Sequence, residues 1–256
     1  MNINTIIRIF FDPYDRKARL APALLAILVP AIAFSIVSPA FIKHLNWLFS
    51  ITVAFGGLIF LSSVARDLGK KKQAHLFQQW GGSPTTLMLM HSTTDLDPIT
   101  LNRYHTTIEN NISRFKFLTK SQESTDMDSA RARCESAIKW LLEASRNPKK
   151  YPLVFAENIN YGFRRNLLGI KSLAIAFCIL TFACLLSDAW LVTHGCVFLA
   201  PRRFWMGAGI SFLGCLIWMF FVDANQVKTV AFAYATALLA ACDSVALTKT
   251  KKRLDQ

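Results

Sequence analysis

Four apolar runs, arranged as two pairs with a long basic stretch between them, limit what this chain can fold into. They extend from Leu20 to Pro39, Leu45 to Val64, Leu167 to Leu186 and Phe204 to Val222. Each approaches the ~20 residues that an α-helix needs to cross a hydrocarbon layer of ~30 Å. Lys171, near the start of the third run, belongs with its basic flank; no other Asp, Glu, Lys, Arg or His falls inside a run. In lipid every backbone N–H and C=O must be bonded within the chain, and a helix does this locally. No stretch shows the strong apolar–polar alternation of a half-buried strand. The expected fold class is therefore all-α: a four-transmembrane-helix integral membrane protein with a helical insert between helices 2 and 3.

The basic residues orient such a chain. Of the 29 Lys and Arg, only Lys43, Arg202 and Arg203 lie in the two short hairpin loops. Positive residues are retained on the cytoplasmic side during insertion, which places both termini and the insert inside the cell. The formal net charge of +13 then needs no nucleic-acid partner. Much of it is topology signal and attraction to anionic membrane lipid, above all at Arg16, Lys17, Arg19, Lys70, Lys71, Lys72, Arg164 and Arg165. The first run is longer than the apolar core of a signal peptide, and Pro39 within Ser38-Pro39-Ala40 hinders cleavage, so it is expected to stay as a span. The six cysteines show no metal-site or redox spacing. Cys178, Cys184 and Cys215 fall within runs, Cys134 and Cys242 on the reducing side, and Cys196 outside.

These runs divide the chain into four parts. Residues 1–66 hold a short interfacial helix over Ile3 to Phe11 and the first two spans; 67–166 form the insert; 167–222 hold spans three and four; 223–256 form a C-terminal helix and tail. Asp12-Pro13 turns the chain toward the first span. Pro22 is expected in a first helical turn, where a missing N–H costs nothing, and Pro30 is expected to kink the span. Gly56-Gly57 and Gly207-x-x-x-Ser211 offer small-residue faces for close helix contact, within the bundle or between subunits. The second helix should run past Val64 to Trp80 and stop at Gly81-Gly82. Ser83-Pro84 and Asp97-Pro98 read as N-cap and N1 pairs. They open a short helix to Met90 and an amphipathic one from Ile99 to about Lys120. Another helix spans Asp126 to Ser145 and stops at Asn147-Pro148. Tyr151 to Asn160 reads as loop with one helical turn. After the fourth span, Val227, Val230, Tyr234, Leu238, Ala241 and Val245 keep helical spacing, without a break, to Lys249.

Two clusters could carry function. The first runs from Trp80 to His105, with Gly81, Gly82, Thr85, Thr86, His91, Asp95, Asp97, Arg103 and Tyr104 between them. As a ligand pocket it would offer backbone amides at a helix start and the charge of Arg103 and His105 to an anion such as a phosphate. As structure, the same residues are helix stops, helix starts and packed aromatics. The expected ligand- or partner-binding residues are Trp80, Asp97, Arg103, Tyr104 and His105. A metal site from His91, Asp95, Asp97 and His105 is disfavoured because Asp97 is already explained as a cap. No Ser or Cys stands in a nucleophile context, no catalytic residue is expected, and no cofactor is implied. The second cluster, Asn158 to Asn166, contains Arg164 and Arg165 at the entry to the third span. It reads as an interfacial anchor or, more sharply, as a coupling element. With no other ionisable group in the spans, a proton- or ion-coupled transporter is disfavoured.

The motifs Trp80-Gly-Gly-x-Pro84-Thr-Thr, Asp97-Pro-x-Thr100-x-x-Arg-Tyr-His105 and Asn160-Tyr-Gly-Phe-Arg-Arg-Asn166 resemble those of a family of uncharacterised bacterial tetraspan membrane proteins. That resemblance supplies no catalytic residues. In layout the chain is also similar to transmembrane effectors of bacterial anti-phage systems, in which a small cytosolic domain senses a nucleotide or partner protein and the spans oligomerise or open. Together these imply a non-enzymatic protein of the bacterial inner membrane, a homo-oligomeric effector that couples a cytosolic signal to its transmembrane bundle in antiviral defence. The competing expectation is a membrane scaffold that anchors a soluble enzyme or nucleic-acid-processing partner. A membrane-embedded lipid enzyme ranks third.

Overall fold

The computed structural model describes residues 12–37 and 47–244, with side chains in the second helix from residue 56 onward. The expected interfacial helix over Ile3 to Phe11, the start of the second apolar run and the charged tail lie outside these residues. Among the described residues every regular element is helical. They are α1 (Asp15–Val37), α2 (Trp47–Trp80), α3 (Pro84–Leu89), α4 (Pro98–Asn111), α5 (Lys120–Thr125), α6 (Met127–Ala144), α7 (Pro152–Val192), α8 (Arg202–Phe221) and α9 (Ala224–Ala240). Of these, α1, α7 and α8 are long and apolar enough to cross a membrane. The chain forms two compact units, one drawn from Met1–Gln73 and Gly162–Val227, the other from Ala74–Tyr161 and Lys228–Gln256.

In the first unit α1 is opened by Asp12, whose carboxylate accepts the Tyr14 and Asp15 N–H groups at 2.8 and 3.3 Å. Its first turns, Asp15–Leu20, are wide π-helical turns, and ordinary α-helix follows from Ala21. The helix thus begins ahead of the apolar run, and Pro22 sits in its interior rather than in a first turn. An interior proline cannot bond the carbonyl four residues back. Here that carbonyl belongs to Ala18, and it accepts instead from Asn166 Nδ2 of α7 at 2.7 Å.

Helices α1 and α8 pack along small residues. A Cβ added to Gly207 would press on Val37 and the Ala33 carbonyl, and one on Gly214 would press on Val29. Ser211, between them, is fully buried. Without a hydrophobic drive in lipid, such close approach is what holds helices together. The Gly207–Ser211 face is therefore used within this chain. Lys171 of α7 donates to the Met219 and Val222 carbonyls at 3.0 and 2.7 Å. The one charge inside an apolar run thus sits at the negative end of α8.

The expected unbroken helix after the fourth run is corrected by the structure. Val222 is extended, and Asp223 starts a new helix by accepting the Gln226 N–H at 2.8 Å. Gln226 in turn donates to the Phe221 carbonyl at 2.7 Å. Side chains that satisfy backbone groups locally compete with helix propagation, and two of them here tip the balance.

The second unit has one apolar core. Leu89, Leu101, Tyr104, Ile108, Cys134, Ile138, Leu141, Tyr151, Leu238 and Leu239 are among its buried members. Each fully buried Leu of this kind contributes about 1.5–3 kcal/mol. Ser83 and Asp97 cap α3 and α4 as their Pro-following pattern predicts, and Asp126 also caps α6. Gly81 and Gly82, at φ +83° and +154°, end α2.

Two element boundaries differ from expectation. Helix α4 ends at Asn111, not near Lys120, and Arg114 takes a left-handed φ of 56°. Ile112, Phe115, Phe117 and Leu118 still pack on the core, but from a turn and irregular segment that imitates helical spacing. Conversely, residues 152–160 are helix, the start of α7. Pro152 stands at its first position, and Tyr151 and Val154 are buried in the core.

Candidate functional site

The five expected binding residues all lie in the second unit, in two layers. Trp80 closes α2 and packs on Phe77 and Phe232, with ring centroids 5.9 and 6.5 Å apart. Asp97 is exposed, and its carboxylate accepts the Thr100 N–H at 2.8 Å. That backbone hydrogen bond holds its pKa below the ordinary value. Arg103, one turn on, forms a two-pronged pair with Asp243 of the C-terminal 3₁₀ turn: Nε to Oδ1 at 2.7 Å and a terminal nitrogen to Oδ2 at 3.0 Å. The hydrogen bonds it donates to the Asp243 carboxylate raise the arginine's pKa further. Beneath this exposed pair, Tyr104 and His105 are buried. Burial raises the Tyr104 phenol and lowers the His105 imidazole. His105 Nε2 donates to the Leu89 carbonyl at 2.7 Å.

A cleft of about 450 Å³ opens nearby in the chain, lined by Leu118, Ser121, Gln122, Thr125, Asp126, Ser129 and Arg133. None of the five expected residues lines it. Its signal in the sequence was slight, because hydroxyl-rich helix ends are ordinary cap chemistry. Among the described residues no group of three or more His, Cys, Asp and Glu is placed to hold a metal ion.

The second expected cluster gains most from the geometry. Arg164 donates to Gln226 Oε1 at 2.8 Å, and Arg165 donates to Gln73 Oε1 at 2.8 Å and to Asn166 Oδ1 at 3.2 Å. Between these contacts α2 and α7 cross at a pair of glycines. A Cβ on Gly169 would overlap the Gly69 backbone, and one on Gly69 would meet Asn166 Oδ1. Gly162, two turns earlier on α7, receives Tyr14 and Ala18 of α1 in the same way. So α7 brings α1 and α2 against one short stretch, Gly162 to Gly169. The sequence reading found the arginines but missed Gly69, Gly169, Gln73 and Gln226. Lone glycines in long helices were the available signal, and only the fold pairs them.

No family model matches the chain, and no curated protein or solved structure matches it either.

Proposed function

We propose that this chain is a non-enzymatic, multi-pass protein of the bacterial inner membrane that couples a cytosolic signal to rearrangement of an oligomeric transmembrane bundle. In this reading the fourth span is the Leu45–Val64 run, which α2 contains from Trp47 onward. Both termini and residues 67–166 face the cytoplasm. The observation that carries the proposal is the continuity of α2 and α7. Each is a single helix joining an apolar stretch to a charged one, and the two meet backbone to backbone at Gly69 and Gly169. A ligand or partner that favours one arrangement of the insert shifts the population of the bundle.

Trp80, Asp97 and Arg103 form the outer layer of the sensing region and Tyr104 and His105 the layer beneath. Arg164 and Arg165 act as the coupling residues. The signal is a cytosolic protein or nucleotide, and membrane disruption in defence against phage is the output that the layout suggests.

Inducible expression in a bacterial host with a potential-sensitive dye tests the proposal, since raising concentration favours assembly by mass action. Depolarisation is expected, and Arg165→Gln or Arg103→Ala should reduce it. An unchanged potential, together with a soluble protein co-purifying in equal amount, would replace this reading with the scaffold.

A further inference from the structure

His91 and His105 meet edge to face, with ring centroids 4.8 Å apart, and His105 stacks on Phe117 at 4.0 Å. Each ring holds a carbonyl. His105 Nε2 lies 2.7 Å from Leu89 O, and His91 Nε2 lies 2.9 Å from Leu118 O. A carbonyl can only accept, so both rings carry hydrogen on Nε2 and leave Nδ1 as the site a further proton would enter. Through these bonds the pair ties the turn at 89–92 and helix α4 to the non-helical segment 112–119.

The groups facing the pair come from every neighbouring element. Glu123 of α5 accepts the His91 and Ser92 N–H groups at 2.8 Å each. Glu109 of α4 accepts Lys116 Nζ and the Phe117 N–H, also at 2.8 Å. Arg133 of α6 donates to the Lys116 carbonyl at 2.7 Å. Cys134 of α6 approaches Leu89 O at 3.8 Å and stays a neutral thiol, pushed up to about 12 by burial.

We propose that this histidine pair is a proton-operated latch that, when neutral, clasps segment 112–119 onto α4 and, when protonated, releases it. Positive charge on the buried His105 ring is penalised above all by the loss of solvent around it. Glu109 keeps Lys116 and Phe117 tethered and serves as the hinge, so opening is confined to Leu118 and the His91 turn. Burial, with His91 assisting, holds the His105 pKa below 6.5 against the opposing pull of Glu109 and Glu123. The closed form is therefore fully favoured above pH 6.5 and lost as pH falls through the depressed value. Between the two, one linked proton raises the opening constant about tenfold per pH unit. The latch stands on its own geometry. Only its role as a sensor of cytosolic acidification rests on the function proposed above.

Hydrogen exchange of the full chain in nanodiscs, corrected for intrinsic rates, tests it between about pH 8 and pH 5. Peptides over 90–93 are expected to lose protection about tenfold per pH unit below pH ~6.5, while those over the tethered 115–117 and those of α6 hold. His105→Gln retains a donor for Leu89 O but cannot be charged, and should flatten the response. If that variant does not fold, His91→Gln, at a half-buried position, removes a neighbour that helps hold the His105 pKa down and should reduce the extent of the loss. A flat profile in the wild type, or a fall equal to wild type in these variants, overturns the latch. Opening without any change in membrane potential would leave the latch standing and count against the coupling reading.

Discussion

At the residue scale the most informative group is Pro22, Ala18 and Asn166. Pro22 removes the N–H that would satisfy Ala18 O, and Asn166, fully buried, supplies the replacement. Asn166→Ala should therefore lower stability by about 1–3 kcal/mol, the cost of an unsatisfied buried acceptor. Adding Pro22→Ala restores an N–H to the helix and should recover part of that loss in thermal unfolding in detergent. Additive losses in the double variant would show that the two residues do not share one carbonyl. Gly169→Ala forces α2 and α7 apart and should cost about 1–3 kcal/mol, as overpacking does. Thiol chemistry offers a separate check. Cys134 and Cys242 are buried and pushed up to about 12, whereas Cys196 is exposed. Maleimide at neutral pH should modify Cys196 well before the other two, and equal rates would contradict the packing of the second unit. Cap residues such as Ser83 and Asp97 were legible in the sequence because their chemistry is local. The Asn166 bond was not, because it spans 148 positions.

At the element scale, apolar periodicity located α6 and the extension of α2 but misplaced the ends of α4 and α7. Segment 112–118 carries apolar residues at helical spacing, yet Glu109 accepts the Phe117 N–H, a bond outside the helical pattern. Residues 152–160 looked mixed because Tyr151 and Val154 face a core while exposed Leu153 does not. The break between α8 and α9 rests on Asp223. Asp223→Ala removes its cap on Gln226 and should destabilise the start of α9 by about 0.5–2 kcal/mol. Hydrogen exchange in the first turn of α9 reads this directly; unaltered protection there would mean that packing alone sets the break.

At the scale of the whole molecule, the helical class was legible from four long apolar runs, and three described helices are long and apolar enough for lipid. The proposed sidedness of the loops rests on charge alone, through the near absence of Lys and Arg between the paired runs. The site was less legible, because the crossing of α2 and α7 depends on glycines that only the fold brings together. Membrane topology is therefore the claim on which the functional account rests. Labelling with a membrane-impermeant maleimide in intact cells tests it, using one variant that keeps only Cys196 and another whose sole cysteine is Ser121→Cys on the exposed face of α5. The account predicts that Cys196 is modified in intact cells and the cysteine at position 121 only after permeabilisation. Modification of position 121 from outside, or recovery of the chain in the soluble fraction without detergent, would contradict it.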